Sequence, residues 1–204
     1  MISDQIPLFY YGDNNLTPVL NWTYAPDNSS KELSFNFFDM GERLGKNLPD
    51  LKPDLPVEHG YRFVTFESDS NSLLPVFYKE GSCLKVVDTT TAKLPGIPKK
   101  LKTVAQFSHP DSIILTGPQA SPPAFIPEPA HGWCYYYQKA GFAAQQQNWS
   151  GVAQLYEELH TKGYKPEDLS EWIPFIQGEA ESGSVDLAGL LLKTEHDRIE
   201  DFID

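Results

Sequence analysis

The chain has 204 residues, 40% of them apolar and 13% aromatic; that is enough to bury a core and excludes a disordered polymer. With 16 Lys and Arg against 28 Asp and Glu its net charge is −12. This argues against nucleic acid and anionic lipid as partners, because both carry negative charge, and favours a basic or neutral polypeptide.

Residues 6–11, Ile-Pro-Leu-Phe-Tyr-Tyr, read as a strand ended by Gly12-Asp13-Asn14-Asn15. Thr17-Pro18 has the pattern of a helix start, with Thr17 as the cap and Pro18 in the first position. That helix runs through Val19, Leu20 and Trp22 and stops before Pro26. Phe35–Gly45 is expected to be mostly helical, with Gly45 as its stop, and residues 46–60, with three prolines, are expected to be loop. Tyr61–Ser68 alternates as a strand does, Leu73–Tyr78 is a second strand and Cys83–Val87 a third. Short turns between them predict an antiparallel meander. Lys99–Phe107 carries Leu101, Val104, Ala105 and Phe107 on one stripe, which predicts an amphipathic helix. Ser112–Thr116 reads as a further strand. The mixture predicts an α+β or α/β domain with a small mixed sheet over residues 1–117.

Five prolines (Pro118, Pro122, Pro123, Pro127 and Pro129) then fall between Gly117 and Pro129. Such density favours an extended spacer, placed at residues 118–129. Residues 130–204 are expected to be all helical. Trp133–Gln147 and Gly151–Lys162 form a helical hairpin closed by Asn148-Trp149-Ser150, and Gly163 ends its second helix. A second unit starts near Glu167, with Asp168 or Ser170 as cap for a helix through Trp172, Phe175 and Ile176. Val152-Ala153-Gln154-Leu155 and Leu187-Ala188-Gly189-Leu190 lie 35 residues apart. Ala140, Trp149, Tyr156 and Pro166 occupy places comparable to the small, aromatic and proline positions of a tetratricopeptide repeat, which this region resembles as a divergent member of about two hairpins. Residues 128–204 hold five basic and fourteen acidic residues, a balance of 5 − 14 = −9.

Little in the sequence suggests chemistry. Asp13, Asp27, Asp39, Glu42 and Glu67 have no diagnostic pairing, and surface or capping roles explain them. His59, His109, His131, His160 and His196 form no metal-binding spacing. No nucleophile elbow and no phosphate loop occurs. The expectation is therefore no catalytic residue, no metal and no cofactor. Cys83 and Cys134 each read first as a small buried hydrophobe; a disulfide between them is open to an oxidising compartment, and the sequence does not decide it. Aromatic residues are the richest resource, suited to peptide capture or carbohydrate stacking as well as to core packing. Trp133, Tyr135, Tyr136, Trp149, Tyr156 and Trp172 mark a partner or ligand surface on the helical part. Tyr11, Trp22 and Tyr24 mark an aromatic site on the first domain. Tyr135, Tyr136 and Tyr137 cannot all point inward from one helix, so at least one is expected to be exposed.

Taken in order, Leu16–Asp27, Gly81–Asp88, Glu128–Ala140, Asn148-Trp149 and Ser170–Phe175 resemble the C-terminal soluble region of large bacterial polytopic membrane proteins of unassigned function, some similar to lipid-linked-sugar glycosyltransferases. The resemblance spans nearly the whole chain. It implies a place on the extracytoplasmic face of a bacterial membrane, attached to a multi-span part. This chain departs from that pattern: it has no apolar run near the ~20 residues of a span and no export signal, so as read it is soluble. The resulting expectation is a non-catalytic interaction module that binds a polypeptide through its acidic helical part. The alternatives are an accessory domain binding a glycan or lipid-linked sugar, and a free-standing hydrolase or transferase with a site at the domain junction.

Overall fold

A computed structural model describes residues 2–4, 12–25, 27–39, 52–113, 130–189 and 193. The chain has mixed α/β content and is mostly helical in its C-terminal half. It divides into two units, one comprising Met1–Lys79 and Lys85–Glu128, the other Glu80–Leu84 and Pro129–Asp204. Among the described residues no helix is long and apolar enough to cross a membrane.

The first unit contains strand β1 (Ile2–Asp4), helix α1 (Gly12–Tyr24), strands β2 (Phe38–Asp39), β3 (Pro56–Tyr61), β4 (Val64–Asp69), β5 (Pro75–Phe77) and β6 (Lys85–Val86), and helix α2 (Lys99–Val104). One sheet has the order β2-β1-β5-β6. In it β1 is parallel to β2 and β5, with Ile2 opposite Phe38 and Pro75, and β6 is antiparallel to β5. The core joins Phe77 and Val87 to Ile97, Leu101, Val104 and Ala105. The amphipathic stripe expected over Lys99–Phe107 is thus α2 and the short turn that follows it.

Several expected elements are corrected. The helix at Thr17 begins five residues earlier, so Gly12–Asn15 opens a helix instead of ending a strand. Thr17 does not cap: its buried hydroxyl accepts the Phe37 N–H at 3.0 Å, a bond spanning 20 residues. No helix forms over residues 35–39. There the Asn21 side chain accepts from Ser34 N and Phe35 N and donates to Phe35 O, occupying groups that a helix needs, and Phe38–Asp39 pairs with β1. The meander is also replaced. β3 and β4 form an antiparallel hairpin with Tyr61 opposite Val64, so the turn at Arg62-Phe63 falls inside the alternating run. Arg62 has φ 54° and Phe63 is 87% exposed. The partner strand β3 lies in the stretch expected to be loop. After β4 the Asp69 carboxylate accepts from Asn71 N and starts a one-turn helix, Ser70–Ser72, which ends the hairpin; β5 pairs with β1 and β6 and not with β4. Ser112 belongs to a short turn, Pro110–Ser112. The expected strand at residues 6–11, the remainder of the 35–45 helix and of the 112–116 strand, and the proline-rich spacer lie outside the described residues.

The second unit holds helices α3 (Trp133–Gln145), α4 (Trp149–Lys162) and α5 (Ile173–Glu181). Their ends follow from local chemistry. The Asn148 side chain accepts the Gly151 N–H to start α4. Gly163, at φ 69°, ends it in the left-handed region open to glycine. Asp168 caps the turn Leu169–Trp172 that leads into α5, and residues 185–189 are again helical. Helix α4 packs on both α3 and α5. The core is Tyr136, Ala140, Val152, Tyr156, Leu159, Trp172 and Phe175. At the α4–α5 contact a Cβ placed on Gly178 would lie 2.3 Å from Val152 Cγ1, so only glycine fits there.

Burial, followed by the charges of Glu171 and Asp168, holds the Tyr137 hydroxyl well above the ordinary tyrosine range. Burial, then Glu157 and Glu179, raises Tyr156 in the same direction. A tyrosine whose pKa is raised by folding stabilises the fold fully below its unfolded pKa of about 10 and loses that contribution as pH rises toward the folded value. Urea unfolding as a function of pH is therefore expected to show stability falling above roughly pH 10, with a shallower fall in Tyr137→Phe. An unchanged slope in that variant would contradict the assignment.

Candidate functional site

Among the described residues, two strongly exposed aromatics lie on α1. Trp22 is 63% exposed and Tyr24 61%, beside Val19 at 51% and Phe35 at 40%. Tyr24 and Phe35 meet edge to face at 6.1 Å between ring centroids. The surface has a fixed frame. Asn21 joins α1 to residues 34–35 through three hydrogen bonds of 2.7–3.1 Å, and it also donates to Thr17 O within the helix. One turn earlier Thr17 holds Phe37, which is fully buried. Asn21 and Thr17 thus set the helix against the following chain and leave the aromatics displayed. Of the three residues expected to form an aromatic site in the first domain, Trp22 and Tyr24 are both exposed on α1, two residues apart and so on different sides of it; Tyr11 lies outside the described residues.

The aromatics expected to form a surface on the helical part are mostly core, which corrects that expectation. Tyr136, Tyr156 and Trp172 are buried, and Trp133 and Trp149 are half-buried against them. The reason is crowding: Trp133, Tyr156 and Trp172 all surround Phe175, with centroids 5.6, 6.3 and 6.1 Å from it. Of the tyrosine run only Tyr135 keeps a half-exposed face. Its ring stacks on His131 at 3.7 Å, and the Lys139 ammonium lies 4.6 Å from its centroid.

A second arrangement was open in the sequence only as a possible pairing of the two cysteines. Cys83 and Cys134 form a disulfide, with Cα atoms 5.2 Å apart, so the alternative of two free, buried cysteines is excluded. Glu171 is 1% exposed. One of its oxygens accepts the Cys83 N–H at 2.6 Å and the other accepts the Trp133 indole N–H at 2.6 Å. The neighbouring Leu84 carbonyl accepts from Gln138. Ser170-Glu171-Trp172 looks like ordinary capping sequence, and nothing in it signals a contact 88 residues away.

Among the described residues, the carboxylates and histidines weighed as acid–base or metal groups form no cluster placed to hold a metal. Asp27 and Glu67 are exposed, Asp39 is half-buried, and His59 lies against Asn36 Oδ1 at 3.1 Å. Glu42 and His196 lie outside the described residues. Compared with known proteins, the chain matches no family model, no curated protein and no solved structure.

Proposed function

We propose that the protein is a non-catalytic binding module that captures a basic, partly aliphatic polypeptide segment with the exposed aromatic residues of α1. The observation that carries this reading is the exposure of Trp22 and Tyr24, both above 60%, with Val19 one turn before Trp22 and Phe35 against Tyr24, on a helix tied down by Asn21 and Thr17. Large aromatics are the residues most often dominant in binding energy, and a face that is already ordered loses little conformational entropy on binding. Residues 1–127, which carry α1, balance 11 − 14 = −3, which leans toward positive segments, and aromatic rings suit Lys or Arg. In this reading the helical unit is a pair of divergent tetratricopeptide-like hairpins. The turn capped by Asn148, the stop at Gly163 and the buried Ala140 and Tyr156 support that assignment. The Cys83–Cys134 disulfide supports an oxidising, extracytoplasmic setting, in line with attachment to a membrane-spanning part.

Selection of a displayed random-peptide library on the full chain tests the proposal. Peptides enriched in Lys, Arg and aliphatic residues are expected, and Trp22→Ala/Tyr24→Ala should weaken them by about 2 kcal/mol or more. The same double variant should unfold within roughly 0.5 kcal/mol of the parent, because both side chains are exposed. Peptides that bind parent and variant equally would refute it. Aromatic faces also suit carbohydrate, and binding on a glycan array lost in the same variant would favour the accessory glycan-binding reading instead.

A further inference from the structure

The disulfide of the helical unit is asymmetric. Cys134 is exposed at the second position of α3, a helix of 13 residues, where the helix dipole favours a thiolate. Cys83 is 2% exposed, and its Sγ lies 3.2 Å from Glu171 Oε2. In the disulfide neither sulfur carries a hydrogen, so this contact sets sulfur lone pairs against a carboxyl oxygen. It becomes an S–H···O hydrogen bond only when Cys83 is a thiol. The Cys83 N–H and the Trp133 indole hold the carboxyl group in that place.

We propose that Cys83–Cys134 is a redox-active pair that exchanges with thiols and disulfides through Cys134, with Cys83 as the resolving thiol and Glu171 as its proton carrier. In the reducing direction a monothiol attacks as RS⁻ at Cys134 Sγ. An RS–SCys134 bond forms, the Cys83–Cys134 bond breaks, and the departing Cys83 thiolate takes a proton that the Glu171 carboxylate relays from a second RSH, leaving that thiol as RS⁻. A second RS⁻ attacks the R sulfur and releases RS–SR, leaving Cys134 as thiolate. Two RSH are oxidised by two electrons in all, and the protein disulfide is reduced to a dithiol. In the reverse direction Glu171 takes the proton from Cys83 as its sulfur attacks the mixed disulfide at Cys134.

The test uses the oxidised full chain in buffers of reduced and oxidised glutathione, quenched with acid and read by mass spectrometry. Opening of the bond is expected while the far-ultraviolet circular dichroism stays native. Cys83→Ser should accumulate one glutathione on Cys134 much faster than Cys134→Ser accumulates it on the buried Cys83. Glu171→Gln should close the mixed disulfide about tenfold or more slowly, the range lost with a general base, with a flattened pH profile and an unchanged rate for the first attack. Three results would overturn the proposal: opening only on unfolding, glutathione on the buried cysteine as fast as on Cys134, or Glu171→Gln closing at the parent rate. The comparison of Cys83→Ser with Cys134→Ser decides the case even where Glu171→Gln does not fold.

Discussion

Replacing Phe175 by alanine is expected to lower the stability of the helical unit by about 3–5 kcal/mol. Phe175 is fully buried, and it lies in a cage of three rings, those of Trp133, Tyr156 and Trp172. Truncation loses the transfer energy of the ring and leaves a cavity, whose cost grows with how little the surroundings collapse. Here collapse is resisted. Trp133 is held by its bond to Glu171, and Trp172 packs edge to face on Trp133 at 4.8 Å, so neither ring moves without disturbing the other. Urea unfolding followed by tryptophan fluorescence measures the loss. A drop below about 1 kcal/mol would mean that the cage closes over the gap, contrary to the packing described here.

Gly178→Ala is expected to be the next most damaging change, at about 1–3 kcal/mol. An alanine in a helix interior is intrinsically better than glycine by roughly 1 kcal/mol, so a loss would show that packing outweighs propensity. The new methyl would sit 2.3 Å from Val152 Cγ1 and 2.7 Å from Val152 Cβ. Val152 is itself fully buried, leaving α4 and α5 to move apart. Because the clash is with one side chain, Val152→Ala in the same chain should recover much of the loss, giving a non-additive double-mutant cycle. Additive losses would place the cost elsewhere.

Legibility differed between the two units for a physical reason. In the helical unit the signals are local. Asn148 caps α4 three residues on, Gly163 stops it, and Asp168 accepts from Ser170 two residues away. Those ends were readable, and α3 and α4 fall within two residues of their expected bounds. In the first unit the deciding bonds are long-range. Thr17 has the sequence signature of a cap, but its hydroxyl serves Phe37; Asn21 takes over the backbone of residues 34–35. β3 was hidden because its half-buried positions, Val57 and His59, alternate with Glu58 and Gly60 behind a proline. Residues of the candidate surface were legible by type, and their exposure was not. Aromatic content marks Trp22 and Trp172 alike, whereas the fold exposes the first and buries the second. Glu171 left no trace, since its partners Cys83 and Trp133 lie 88 and 38 residues away.

These contrasts sharpen the functional proposal. The acidic helical unit uses most of its large aromatics to hold itself together, and the proposal therefore places recognition on α1. The two readings of the chain's chemistry also separate cleanly. Binding at Trp22 and Tyr24 needs no sulfur, and exchange at Cys134 needs no aromatic face.

The most direct measurement is ¹⁹F NMR of the protein carrying 5-fluorotryptophan, titrated with a basic peptide selected on it. The chain has four tryptophans, whose resonances are assigned by single Trp→Phe changes. The resonance of Trp22 is expected to shift with saturation while those of Trp133 and Trp172 stay in place. A peptide that binds and moves the tryptophans of the helical unit, with Trp22 unmoved, would contradict the account.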